Sequence, residues 1–192
     1  MGEYNINRID SGNKIGAKVE TPGIKAEAKV VEFLKEAFPD CITEVQKTSQ
    51  FDYNDRNGVD CVVEMGGYRI AVDITFDSDK RRLEKMRRMK DSPMVQLHDP
   101  ATRQPIGQRI PRILFFDRSM DFWIDYGDKA ESEGLELTSM MSQADVNMKK
   151  KAFIRTVLDQ AEGFSKLNPK YAESIAPVAA ILKREGEKLE QQ

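Results

Sequence analysis

Two cysteines and one histidine are all that 192 residues hold of thiol and imidazole metal ligands. Cys41 and Cys61 do not make a disulfide framework in a chain this long, and a reducing cytoplasm is the default expectation. They stand too far apart for a zinc knuckle, and His98 alone cannot build a multi-histidine zinc site. A Ser-His-Asp triad would have to use His98, which lies in a proline-rich stretch with no nucleophile motif beside it. Neither a Walker A sequence nor a GxGxxG run occurs, so no phosphate-cradling glycine loop is indicated. No apolar run approaches the roughly 18 residues of a membrane helix. The start, Met1 to Ile6, lacks the basic-then-apolar order of a secretion signal. These absences predict a soluble, cytoplasmic protein with no membrane partner. The chemistry left to it is that of carboxylates, lysine and a hard cation.

What is present suits one packed domain with a helical appendage: 40% of the residues are hydrophobic and 32% charged. Its most informative stretch is Gly58–Phe76. Paired glycines at Gly66-Gly67 supply the positive φ angles of a two-residue hairpin turn, which fixes the register of the flanking strands. Met65 then faces Tyr68, Val63 faces Ile70, and Asp60 falls opposite Asp73. Alternation puts Cys61, Val63, Met65, Tyr68, Ile70, Val72, Ile74 and Phe76 on one apolar face and both aspartates on the other. Like charges directly across a ladder repel, so a purely structural sheet should avoid them. A divalent cation reverses the sign of that interaction. The hairpin therefore reads as a metal site, against the alternative that two hydrated acids simply sit on a solvated face.

Along the chain, 1–22 reads as a flexible arm, 23–135 as an α/β core and 136–192 as a helical extension packed on it. A helix is expected from about Ile24 to Phe38, with Ile24, Ala28, Val31, Leu34 and Phe38 as its inner stripe and Glu27 on or beside it. A short strand near Cys41–Lys47 precedes the hairpin. Next comes a basic helix, about Asp79 to Lys90, with Leu83, Met86 and Met89 as a narrow apolar strip. Bases outnumber acids from Lys80 to Arg112, which makes an electropositive patch a candidate. Asp91–Arg109, with three prolines, reads as a long loop. Arg112–Phe116 reads as a buried central strand ending in Asp117. A helix or turn holding Phe122, Trp123, Ile124 and Tyr126 follows. A helix from about Gln143 to Lys166 starts at a capping box and carries Lys149-Lys150-Lys151 toward water. A last helix starts after Asn168, with Pro177 expected to kink or divide it. The fold class is thus α/β, a small mixed central sheet flanked by helices, with the last two helices covering one face or making a dimer contact.

A helix carrying Glu27, a hairpin carrying Asp60 and Asp73, then a helix and a buried strand resembles the core of the PD-(D/E)xK nuclease superfamily. The resemblance covers roughly residues 24–117. It implies a restriction-endonuclease-like fold and hydrolysis of phosphodiester bonds in DNA. It also implies Glu27, Asp60 and Asp73 as acids around Mg2+ or Mn2+, the cation supplying the nucleophilic water and stabilising developing charge. Thr75 stands where the family carries a lysine. Some branches place that lysine on the helix after the hairpin, which makes Lys80 and Lys85 the candidates, Lys80 the nearer to the strand end and expected to be catalytic. Arg81, Arg82, Lys85 and Arg88 on the same helix are candidates to hold the phosphate backbone. Double-strand cutting by a one-site enzyme would favour a homodimer. The alternative is a nuclease fold that has lost its chemistry and binds nucleic acid or a protein partner.

Overall fold

The structure, a computed structural model, describes residues 21–48, 54, 57–76 and 78–191. Most of the expected N-terminal arm lies outside them. Its end caps the first helix, α1 (Pro22–Ala37): Thr21 accepts a hydrogen bond from the Ile24 amide, and Pro22 takes the position where a missing N–H costs nothing. The buried face of α1 is broader than the expected stripe and includes Ala26, Val30, Phe33 and Ala37.

Five strands form one mixed sheet among the described residues, in the order β1-β2-β3-β5-β4. They are β1 (Glu44–Lys47), β2 (Cys61–Met65), β3 (Tyr68–Thr75), β4 (Met94–His98) and β5 (Pro105–Phe116). The hairpin has the register its turn dictates: Met65 pairs with Tyr68, Val63 with Ile70 and Cys61 with Val72. Gly66 and Gly67 both have positive φ, 56° and 81°, as such a turn demands. From the hairpin the chain enters α2 (Asp79–Asp91), and β5 then lies parallel to β3, with Ala71 beside Arg112 and Thr75 beside Phe116. The protein is therefore α/β, a mixed central sheet flanked by helices.

The stretch expected as a long loop is a β-hairpin, β4 and the first half of β5. Its proline and glycine sit where strands tolerate them. Pro105 opens β5, and Gly107 (φ 63°) lies in a bulge. Gln96 fills that bulge, its Nε2 donating to the carbonyls of Ile106 and Gly107 at 3.1 and 3.3 Å. His98 is thereby the last residue of β4 and not a loop residue.

Helices α3 (Met120–Glu133), α4 (Leu137–Met140), α5 (Gln143–Ser165) and α6 (Pro169–Glu190) complete the molecule. The capping box at Ser142 forms, Ser142 Oγ accepting from the Asp145 amide at 3.1 Å. Helix α6 runs undivided through Pro177. Phe153 on α5 meets Phe38 and Phe115 with ring centroids 5.7 and 5.6 Å apart. Residues of α5 and α6 (Val157, Phe164, Tyr171, Val178, Leu182) thus share one apolar core with the sheet and α1. Two of the three consecutive lysines expected in water are tied down instead. Lys149 is 4% exposed and bonds Asp117 at 2.6 Å, and Lys150 bonds Glu185 at 2.9 Å. A four-carbon stem lets each stay on a core-facing helix and still place its charge on a carboxylate. Among the described residues no helix is long and apolar enough to cross a membrane.

The outer edge of β5 shows how α5 is locked to the sheet. Pairing with β4 ends where the Arg112 amide donates to the Pro93 carbonyl. The next outward backbone groups, the N–H and C=O of Leu114, are both taken by the Gln160 side-chain amide, at 3.0 and 2.7 Å. Gln160→Leu should leave both groups buried and unpaired and cost about 2–4 kcal/mol, read as a lowered urea midpoint with unchanged slope. A loss under about 0.5 kcal/mol would show that water takes over both bonds.

Candidate active site

The candidate acids lie where the parallel strands β3 and β5 end, in the region where open sheets with parallel strands commonly bind ligands. Asp60 immediately precedes β2. Its amide donates to the Val72 carbonyl at 2.9 Å, continuing the ladder by one residue. Its carboxylate Oδ2 then accepts from the Ile74 amide at 2.5 Å, in place of the strand that has ended there. Asp73 sits within β3, on the sheet face opposite the main core, and is 1% exposed. That second face is not the solvated surface that alternation suggests. Val59, Val62, Ala71, Leu97 and Ile110 form a small apolar cluster on it. At the turn end of the main face, by contrast, Tyr68 is 48% exposed.

Two cations neutralise Asp73. Lys85 from α2 places its Nζ 2.9 Å from Oδ1, and Arg112 from β5 places Nη2 2.7 Å from Oδ2. The chain also passes directly above. Gly58 has φ 71°, and a Cβ there would stand 2.7 Å from Asp73 Oδ2 and collide with the Arg112 guanidinium. Glycine is required at this position both for its backbone angle and for the space. The Arg112 Nε–H is buried without a hydrogen-bond partner among the described residues.

Among the described carboxylates Asp60 is the one shifted furthest upward. Burial of its carboxyl, then the negative charges of Asp73 and Glu27, push its pKa from the usual carboxylate range up to about 8, against the opposing Ile74 N–H and Lys85. Glu27 on α1 is thus near enough to act on Asp60, and is itself partly buried. The three expected acids therefore share one field.

Of the two candidate lysines, Lys85 and not Lys80 reaches Asp73; Lys80 is exposed on the first turn of α2. Helical phase decides this. Met89 is buried and Met86 half-buried, while Leu83, expected on their strip, is 60% exposed. The inward face therefore runs through Arg82, Lys85, Met86 and Met89, and Lys80 lies about 140° around from Lys85. Arg82 covers the Phe116 ring, its guanidinium carbon 4.7 Å from the centroid. Arg88 is exposed and paired to Glu84 at 2.6 Å, and Arg81 is exposed. Sequence reasoning missed Arg112 as a site residue, because only the β3–β5 pairing carries it to Asp73.

A second polar knot lies just beyond, at the end of β5. Asp117 accepts from the Ser119 amide and hydroxyl (2.8 and 2.6 Å), the Trp123 indole (3.1 Å) and Lys149 (2.6 Å). Burial pushes its carboxyl up, but these donors outweigh it and hold the group below the usual range. Every partner is already engaged, which marks this knot as structural.

No known protein family, curated protein or solved structure matches the chain.

The raised Asp60 makes stability depend on pH. Below about pH 4 the group is protonated folded and unfolded alike and contributes nothing. As pH rises toward 8 the unfolded chain releases this proton while the folded chain keeps it, so stability falls across that window and levels off above it. Asp60→Asn, which can still accept from Ile74, should exceed the parent in stability by roughly 2 kcal/mol or more at pH 8 with chelator present. That gap should close near pH 4. A gap independent of pH would mean that Asp60 titrates normally. Gly58→Ala should cost at least about 2 kcal/mol through its φ and the crowding of Asp73 and Arg112, measured by thermal melting.

Proposed function

We propose that the chain hydrolyses phosphodiester bonds in DNA as a cation-dependent nuclease of the PD-(D/E)xK kind. The observation that carries this reading is Asp60. Its carboxyl is driven to about 8 by burial and by two neighbouring acids, Asp73 and Glu27. Such a concentration of partly buried carboxylates is costly unless something positive joins it. The order of elements, from a helix with Glu27 through the acid-bearing hairpin and α2 to a parallel buried strand, supports the same reading.

The donor set fits a hard divalent cation in kind. Magnesium takes oxygen ligands and commonly uses only one or two carboxylates, completing its shell with water and substrate oxygens. Among the described residues no three His, Cys, Asp or Glu side chains are arranged to hold an ion; in this reading the cation takes the sparse mode. Asp60 is the first ligand in this reading, with Glu27 or Asp73 the second. When bound, Mg2+ or Mn2+ would supply a nucleophilic water and stabilise charge on the phosphoryl oxygens.

The residues of the chain have separable tasks. Lys85 takes the role of the lysine absent at Thr75, with its ammonium fixed by Asp73 beside the acids. Arg112 holds the other oxygen of Asp73 and so sets the orientation of that carboxylate. The outward cations Arg81 and Arg88 of α2, with Arg82 at the edge over Phe116, hold the phosphate backbone in a salt-sensitive, sequence-independent way.

One observation favours a second reading, a nuclease fold that binds nucleic acid without cutting it. Asp73 is satisfied by two internal cations and covered by Gly58, so the charge a metal would neutralise there is already compensated.

Magnesium or manganese should raise the melting temperature, since a ligand held only by the folded state stabilises it. Asp60→Asn should abolish that rise. Lys85→Ala should lower turnover about a hundredfold or more while leaving DNA affinity within a few fold, and Lys80→Ala should leave turnover nearly unchanged. DNA binding with no cleavage and no metal-induced shift would establish the second reading in place of the first.

A further inference from the structure

A groove of about 410 Å³ opens between α2, the outer edge of β5 and the last turns of α5. Its volume lies within the usual range for ligand sites. Its floor is apolar and aromatic, with Leu114, Phe116 and Phe164, and its rim carries Arg82, Lys90 and Lys166. Lys166 is shared with Glu162 at 2.8 Å. The one acid on the wall, Asp159, has Arg155 3.6 Å away. Arg82 already lies over the Phe116 ring.

Gly163 is the unexplained residue of this wall. It stands inside α5, where glycine costs about 1 kcal/mol relative to alanine. Its backbone has no positive φ, and a Cβ there would meet nothing within 4 Å. Neither conformation nor packing asks for glycine. What its missing side chain does is leave the groove open.

The groove is built from positions that neighbour the candidate active site on β5 and α2. Phe116 pairs directly with Thr75, two residues beyond Asp73 on β3. Arg82 lies one helical turn before Lys85, which bonds Asp73. A strand whose phosphates follow α2 past Lys85 therefore meets this groove next.

We propose that the groove seats the bases of an unpaired nucleic-acid strand, so that the substrate is single-stranded or frayed where it enters the site. Aromatic and guanidinium faces at the floor of a cationic channel are what a single strand uses, because every base has a π-face to stack and every phosphate a charge to place. A fully paired duplex presents no such faces. The inference rests on the nucleic-acid reading above and adds the form of the substrate.

Gly163→Trp places a large side chain on the groove wall, at a position where an added Cβ meets nothing within 4 Å. Fluorescence anisotropy with a labelled 12-nucleotide thymidylate strand, and with a blunt duplex of the same length, reads the outcome in parent and variant. The parent should prefer the single strand, and Gly163→Trp should weaken that binding at least about tenfold with little change for the duplex. Phe116→Ala should cost the single strand a similar factor. Gly163→Ala, which restores helix propensity without reaching the floor, should keep single-strand affinity and raise the melting temperature by roughly 2–4 °C, which also shows that glycine is not there for the fold. Single-strand affinity unchanged in both Gly163→Trp and Phe116→Ala overturns the groove assignment while leaving the nuclease reading intact. Failure of the parent to bind any nucleic acid overturns both.

Discussion

The Asp73 carboxylate cannot be left alone where β3 puts it. At 1% exposure it has almost no water, and an unpaired charge in such a place costs several kcal/mol. Lys85 and Arg112 remove that cost, each binding one oxygen. They come from elements 12 and 39 residues away in the chain, so the pairing ties α2 and β5 to the same point of β3. Helix α2 lies over the second face of the sheet, and the passage through Gly58 closes over the top. The inward face of α2 is thereby set by a charge as well as by Met86 and Met89.

Asp60 is the consequence. Among the described residues, with Lys85 and Arg112 bound to Asp73, Asp60 accepts a hydrogen bond from the Ile74 amide and has two acids in its field. The protein holds one carboxylate neutralised and its neighbour prone to keep a proton. A carboxyl shifted by burial and by specific neighbouring charges is characteristic of acid–base and metal chemistry, although structural networks produce it too. The contrast with Asp117 is instructive. That carboxylate ends the adjacent strand and is also buried, but it has a lysine, a hydroxyl, an indole and an amide around it. Asp117 is satisfied and inert, whereas Asp60 is short of positive charge.

Much of this architecture was legible locally. Gly66-Gly67 specified a turn, and a two-residue turn admits one register, so the pairing of Val63 with Ile70 followed without any long-range information. Capping at Ser142 and Asn168 was equally local, a side-chain oxygen meeting an amide three residues on. The β4–β5 hairpin was not legible, because three prolines across Asp91–Arg109 read as a loop, whereas Pro105 opens β5 and the irregularity is taken up in a bulge. Nor was the burial of Lys149 and Lys150, since a run of like charges signals a solvated face unless carboxylates from other elements come to meet it.

The sequence by itself determined which chemistry is open to this protein, through its near-lack of histidine and cysteine, and it determined the facing of two aspartates through one glycine turn. The tertiary structure decided which cations serve them. Lys85 rather than Lys80 reaches Asp73 because helical phase is set by which side of α2 is buried. Arg112 reaches it because β5 pairs in parallel with β3 across a long connection. Both are long-range facts, fixed by packing and strand pairing, and neither leaves a mark within a few residues of the side chain concerned.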